Sequence, residues 1–233
     1  MTASVRAVSV PVATTSGSVL ASTGGAELPG MLAIPDNPRC VIAFAHGSGS
    51  SGASPRNRAV AEKLLAGGCA TLQFDLLTED EQRVDAVTRE LRFDIGLLGD
   101  RLTNAVDRLS IWGATRELPI GLFGASTGAA AALVAAARRP ERVHAVVSRG
   151  GRPDLAGPVL ADVTAPILLI VGGRDEQVLE LNRMAADLLT APVAIEIVPG
   201  ATHLFEEPGA LEQVADLAAE WFRERVSTAG VDS

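Results

Sequence analysis

From Cys40 onward the sequence alternates short apolar runs with stretches of helical periodicity. The runs CVIAFA, ATLQFDL, PIGLFG, VHAVVS, PILLIVG and VAIEIV alternate with SPRNRAVAEKLLAGG, DIGLLGDRLTNAVDRLSIW, TGAAAALVAAARR, VLELNRMAADLL and ALEQVADLAAEWFRERV. Most of the runs are apolar at nearly every position, which is the pattern of strands covered on both faces rather than one. Strands of that kind alternating with helices predict a mostly parallel sheet with right-handed crossovers and helices on both sides. Two earlier segments, SVRAVSVPVA and LPGMLAIP, read as strands on either side of the turn-rich TTSGSVLASTGGAE. The expectation is therefore an eight-stranded sheet. With 233 residues and no internal repeat or break in composition, residues 1–226 are expected to form one α/β domain, with 227–233 as a loose tail.

Charge narrows the functional classes. The formal net charge is −8, which argues against a general nucleic-acid or anionic-membrane binder, since both need a basic field. The N-terminus MTASVRAVSVPVATTSG lacks the apolar core of a signal peptide. The small-residue run GLFGASTGAAAALVAAA is too short and too rich in Gly, Ser and Thr for a membrane span. A cytoplasmic protein with no membrane partner is the expectation. Cys40 and Cys69 each open a strand and read as buried free thiols, not as a disulfide framework or metal site.

Two glycine motifs compete to define the chemistry. Gly47, Gly49 and Gly52 form G-x-G-x-x-G after the strand CVIAFA, with Asp75 ending the next run, as in a dinucleotide fingerprint. Gly124, Ser126 and Gly128 form G-x-S-x-G between the strand PIGLFG and an alanine-rich helix. With 23 glycines in the chain, neither pattern is strong without its context. The second has that context: a strand turning sharply into a helix lifts one side chain above the sheet edge, and flanking glycines avoid clashes there. The first does not, because ASPRN intervenes between its third glycine and the helix.

A serine nucleophile needs a base, and the chain has three histidines. His144 opens a strand and should lie at the edge of the sheet opposite the ligand side. His46 follows CVIAFA and suits an orienting role. His203, in the loop VPGATHLFEEPG after the last strand, can deliver an imidazole over the sheet edge and is taken as the base. Asp175 ends the strand PILLIVG and is the candidate acid, with Glu176 the nearest competitor and Asp154 and Glu206 further alternatives. The chain order is then Ser126, Asp175, His203: nucleophile, acid, base. The glycine loop finds a role beside these three residues. Gly47 lets the backbone turn close to a substrate oxygen, and the N–H groups of Ser48 and Thr127 become the candidate oxyanion donors.

Through AHGSGSSGASPRNR, FGASTGAAAALVAAA, VVSRGGRPDL, LLIVGGRDE and PGATHLFEEPG, the chain resembles the α/β-hydrolase superfamily over nearly its whole length. Within it, the sequence is similar to the small dienelactone-hydrolase-like enzymes, some of which occur fused to phosphoribosyltransferase domains. The resemblance implies a Ser-Asp-His triad on an eight-stranded sheet and needs no cofactor or metal. It departs from true dienelactone hydrolases, which use a cysteine where this chain has Ser126, so a carboxylic ester is a safer substrate than dienelactone.

The connection RGGRPDLAGPVLADVTA leaves no room for a large cap over the site. Residues 76–94 could fold over it as a charged flap, although a plain solvated helix is the simpler expectation. Arg149 and Arg152 follow a strand's C-terminal end, with Arg56, Arg58 and Arg174 on the same side, which raises an anionic ester as the substrate. The competing reading pairs these arginines with Asp154, Asp75 or Glu176 to hold loops. Two other function classes remain alongside the hydrolase, a non-catalytic ligand sensor on the same fold and an NAD-type oxidoreductase. The oligomeric state is left between monomer and homodimer, with Trp221 and Phe222 expected to be buried against the sheet.

Overall fold

The computed structural model describes residues 3–11 and 27–226. The end of the first expected strand, most of the turn-rich stretch after it and the 227–233 tail lie outside the described residues. Eight strands are found among the described residues: β1 (Ala3–Pro11), β2 (Glu27–Pro35), β3 (Cys40–Ala45), β4 (Cys69–Phe74), β5 (Ile120–Ala125), β6 (Val143–Arg149), β7 (Ile167–Gly172) and β8 (Val193–Val198). They form one sheet in the order β1-β2-β4-β3-β5-β6-β7-β8. The β1–β2 and β2–β4 pairs are antiparallel, and every pair from β4–β3 to β7–β8 is parallel.

Six α-helices are found among the described residues, α1 (Pro55–Ala66), α2 (Glu79–Thr88), α3 (Ile95–Ile111), α4 (Thr127–Arg138) and α5 (Glu176–Leu188) between strands and α6 (Ala210–Arg225) after the last. Sequence chemistry sets their ends. Ser54 caps α1 and Pro55 occupies its first turn, where the missing N–H costs nothing. Thr78 and Glu81 close a capping box on α2.

The apolar runs of β3, β5 and β7 are buried at every position, as their composition predicts, whereas β8, at the sheet edge, is half-buried and exposes Glu196 and Ile197. One core cluster packs α3, α4 and α5 on the sheet through residues such as Leu102, Leu133 and Leu169, and the other packs α1 and α6 through Leu64, Phe123 and Phe222. Trp221 and Phe222 belong to the second cluster. Cys40 and Cys69 face each other in register across β3 and β4 and are free thiols. Between β6 and β7 the chain makes only 3-10 turns, Pro153–Asp162, kinked at Gly157 with φ 57°. No large cap domain interrupts the fold there. No helix among the described residues is long and apolar enough to cross a membrane.

Candidate active site

The parallel strands end on one edge of the sheet, and Ser126 stands at the centre of that edge. It follows β5, caps α4 and holds φ 51° and ψ −121°. A non-glycine residue with positive φ is strained and persists only where its surroundings fix it. Here Ser126 N–H donates to the Arg149 carbonyl at 3.3 Å, and the Ser126 carbonyl accepts from the N–H groups of Ala129 and Arg152. The flanking glycines are required by contact: a Cβ on Gly124 would lie 2.5 Å from Ala129 Cα, and one on Gly128 would lie 2.3 Å from the Ala45 carbonyl oxygen.

Asp175 and His203 meet as their positions in sequence suggested. Asp175 immediately precedes α5, yet its side chain does not cap that helix. Instead its Oδ2 bonds His203 Nδ1 at 2.7 Å. This contact leaves His203 Nε2 as the ring nitrogen available to a substrate or nucleophile. The His203 loop packs on the turn after Arg149: a Cβ on Gly150 would come within 3.1 Å of the His203 carbonyl oxygen and 3.6 Å of its Nδ1. Since Arg149 also bonds Ser126, a single turn joins the serine to the histidine loop.

The glycine loop lies against the other side of the serine. A Cβ on Gly47 would fall 2.9 Å from Ser126 Cβ, so only glycine allows this approach. Among the described residues nothing accepts from the Ser48 N–H. Thr127 opens α4, so its N–H has no acceptor within the helix. Asp75 Oδ1 accepts from Gly52 N–H at 2.6 Å, bracing the loop. α1 begins beyond the third glycine, at Pro55, a geometry unlike that of a pyrophosphate-binding turn.

His46 is an orienting residue. Its Nε2 accepts from Leu76 N–H at 3.1 Å, so Nδ1 carries the proton and donates to the Gly47 carbonyl at 3.0 Å. Burial pushes its pKa below the ordinary histidine range, against the opposing pull of the Gly47 carbonyl and Asp75. The ring is thus kept neutral while it ties β4 to the glycine loop. His144 lies at the start of β6, at the opposite edge, and contacts the Arg142 carbonyl.

The arginines separate into two kinds. Arg152 makes a two-pronged pair with Asp154 at 2.8 and 2.7 Å, which is the loop-holding alternative. Arg149 is buried beside α1, with one hydrogen bond at 3.4 Å to Asn57 Oδ1. Burial, reinforced by the charge of Arg56, pushes its pKa down to about 10. Arg56 pairs with Glu206 at 3.4 Å, which removes Glu206 from the competition for His203.

Two supporting residues carried no signal in the sequence. Glu207 clamps the histidine loop by accepting from Thr202 N–H at 3.1 Å and Thr202 Oγ1 at 2.7 Å. Its pKa is lowered chiefly by that hydroxyl bond. Asn182, fully buried on α5, donates to the Gly151 carbonyl at 2.9 Å and pins the turn after Arg149. Both act on backbone groups, which no side-chain motif reveals.

Residues 76–94 are more than a solvated helix. α2 forms one wall of a cavity of about 150 Å³ whose other walls include the glycine loop and Thr127. A larger cavity of about 310 Å³ lies at the opposite edge, lined by Arg39, Cys69, Arg223 and neighbours. It is far from Ser126 and faces none of the residues above. No cluster of three or more metal-ligating side chains occurs among the described residues.

Comparison with known proteins agrees with this architecture. Residues 28–228 match the model of the dienelactone hydrolase family. A putative phosphoribosyl transferase of Mycobacterium tuberculosis is 57% identical over 199 residues, covering 85% of this chain and 44% of that protein. The chain thus spans less than half the length of the curated relatives it matches. The crystal structure of a dienelactone hydrolase from Anabaena variabilis superimposes with a TM-score of 0.88 at 53% identity, covering 96% of this chain and 99% of that one. Est1E from Butyrivibrio proteoclasticus shares the fold with a TM-score of 0.73 at 17% identity, over 94% and 98% of the two chains. A family match over most of the chain and a relative at this identity lead to one conclusion: the protein belongs to the dienelactone hydrolase family.

Proposed function

We propose that the protein is a serine hydrolase that cleaves a carboxylic ester of a small molecule. The observation that carries this reading is the 2.7 Å bond between His203 Nδ1 and Asp175 Oδ2 beside a strained serine at the head of a helix. Ser126 Oγ attacks the ester carbonyl while His203 Nε2 takes its proton. The carbonyl oxygen becomes an oxyanion held by the N–H groups of Ser48 and Thr127, at the positive end of α4. His203 then gives the proton to the departing alkoxide, leaving an acyl-serine. Water, deprotonated by His203, attacks that ester and frees the acid and Ser126. Asp175 stays ionised throughout, fixes the imidazole tautomer and stabilises the imidazolium. The match to the dienelactone hydrolase family and the 53% identity to a dienelactone hydrolase support the same class.

The test is hydrolysis of activated esters by the wild type and by Ser126→Ala and His203→Ala. A loss of at least about 10³-fold in kcat for each variant, with folding intact, is expected. Equal turnover by wild type and Ser126→Ala would refute the assignment.

A further inference from the structure

We infer that the cavity between the glycine loop and α2 is the acyl-binding pocket, and that it selects short apolar acyl groups. This rests on the serine-hydrolase reading and adds the substrate class to it. The argument is stereochemical. In the tetrahedral intermediate the carbonyl carbon carries four groups: Ser126 Oγ, the oxyanion, the leaving oxygen and the acyl chain. The oxyanion points to the Ser48 and Thr127 N–H groups, and the leaving oxygen must face His203 to receive its proton. The acyl chain takes the remaining direction. The cavity touches Gly47, which packs on Ser126, and the oxyanion donors Ser48 and Thr127, while Ser126 itself, Asp175 and His203 are not among its walls. It is therefore placed for the acyl chain and not for the leaving group.

Its floor is apolar, formed by Leu76, Leu77 and Leu98, all buried, with Ala86 contributed by α2. Gln82, Asp85 and Arg92 also line the cavity, but the two charges are paired with each other, so the apolar floor favours hydrocarbon over charge. Its volume, about 150 Å³, is that of a cavity able to take up one benzene ring, or about six carbon atoms. An acetyl to pentanoyl group is accommodated, and an octanoyl chain exceeds it.

The wall is also fixed in place, which lets it discriminate. The Glu81 carboxylate accepts from Thr78 N–H at 2.8 Å through one oxygen and bonds buried Arg101 at 2.7 Å through the other. Asp85 accepts from Arg92 N–H at 3.0 Å and from Arg92 Nε at 2.7 Å. The Arg92 guanidinium in turn reaches the glycine loop, 3.8 Å from where a Gly49 Cβ would stand. A wall held at both ends does not swing aside for a longer chain.

The experiment measures kcat/KM for p-nitrophenyl acetate, butyrate and octanoate with the wild type, Ala86→Leu and Leu77→Ala. Ser126→Ala sets the background. The wild type is expected to prefer butyrate to octanoate by at least about tenfold. Ala86→Leu, an exposed helix position that accepts leucine without loss of folding, should lower the butyrate-to-acetate ratio at least about fivefold. Leu77→Ala should raise the octanoate-to-butyrate ratio. Ser126-dependent turnover with the same chain-length profile in all three proteins would overturn the pocket assignment alone. Absence of Ser126-dependent turnover of every ester would overturn the hydrolase reading and the pocket with it.

Discussion

Gly128 shows how closely the serine turn is built. A methyl group there would press within 2.3 Å of the Ala45 carbonyl oxygen, so Gly128→Ala must push α4 away from β3. Chemical denaturation should show a loss of about 1–3 kcal/mol, together with a fall in ester turnover larger than stability alone explains. His46 yields a prediction about pH. Its folded pKa lies below the unfolded value of 6.5 because burial disfavours the imidazolium. Below pH 6.5 the unfolded chain therefore binds a proton that the folded chain does not, and stability falls as pH drops. Urea midpoints at pH 7.5 and 5.5 should differ more for the wild type than for His46→Gln, and equal differences would contradict this account. The strained turn at Ser126 and the contact of Asp175 with His203 follow from residues at strand ends, a context that a sequence can express. Glu207 and Asn182 were not legible, since their partners are a backbone N–H and hydroxyl of Thr202 and the Gly151 carbonyl. Arg149 and Arg152 looked equivalent in sequence. Only packing separates the one buried beside Asn57 from the one paired to Asp154.

Among the elements, α2 departs furthest from its sequence expectation. Its charges, EDEQRVDAVT, read as a water-facing helix. In the fold, two of its acids turn inward to Arg101 and Arg92, and the helix becomes a wall of the site. Partners 20 and 7 residues away leave no periodic trace in the sequence. Glu81→Gln keeps the size of the side chain while stranding the Arg101 guanidinium, which is only 6% exposed. A buried cation without its carboxylate is costly, about 3–5 kcal/mol. Thermal or urea unfolding of Glu81→Gln should register a loss in that range, and a loss below 1 kcal/mol would show that α2 is not anchored by this pair. The strands behave in the opposite way. Most were legible as nearly unbroken apolar runs because a strand covered on both faces calls for apolar residues at every position, while β8 at the sheet edge exposes Glu196 and Ile197.

The whole molecule is a sheet between two apolar layers, and its two tryptophans report on opposite layers. Trp112 packs against the cluster built on α3, α4 and α5, whereas Trp221 lies in the cluster built on α1 and α6. Since one sheet separates and supports both, the layers should lose structure together. Urea unfolding followed by fluorescence of Trp112→Phe and Trp221→Phe, each reporting the remaining tryptophan, should give the same cooperativity as far-UV circular dichroism of the same variant. Separate transitions would mean two folding units. The alternation of strands and helices made this architecture readable. The closure of the site was not readable, because it depends on loops from six strand ends, β3 to β8, meeting above one edge. What that meeting is expected to produce is a single activated serine, and exposure to a fluorophosphonate followed by mass spectrometry tests it most directly. The account predicts one adduct on the folded wild type, located at Ser126 and absent from Ser126→Ala. A folded wild type that remains unlabelled, or a label that persists in Ser126→Ala, would contradict it.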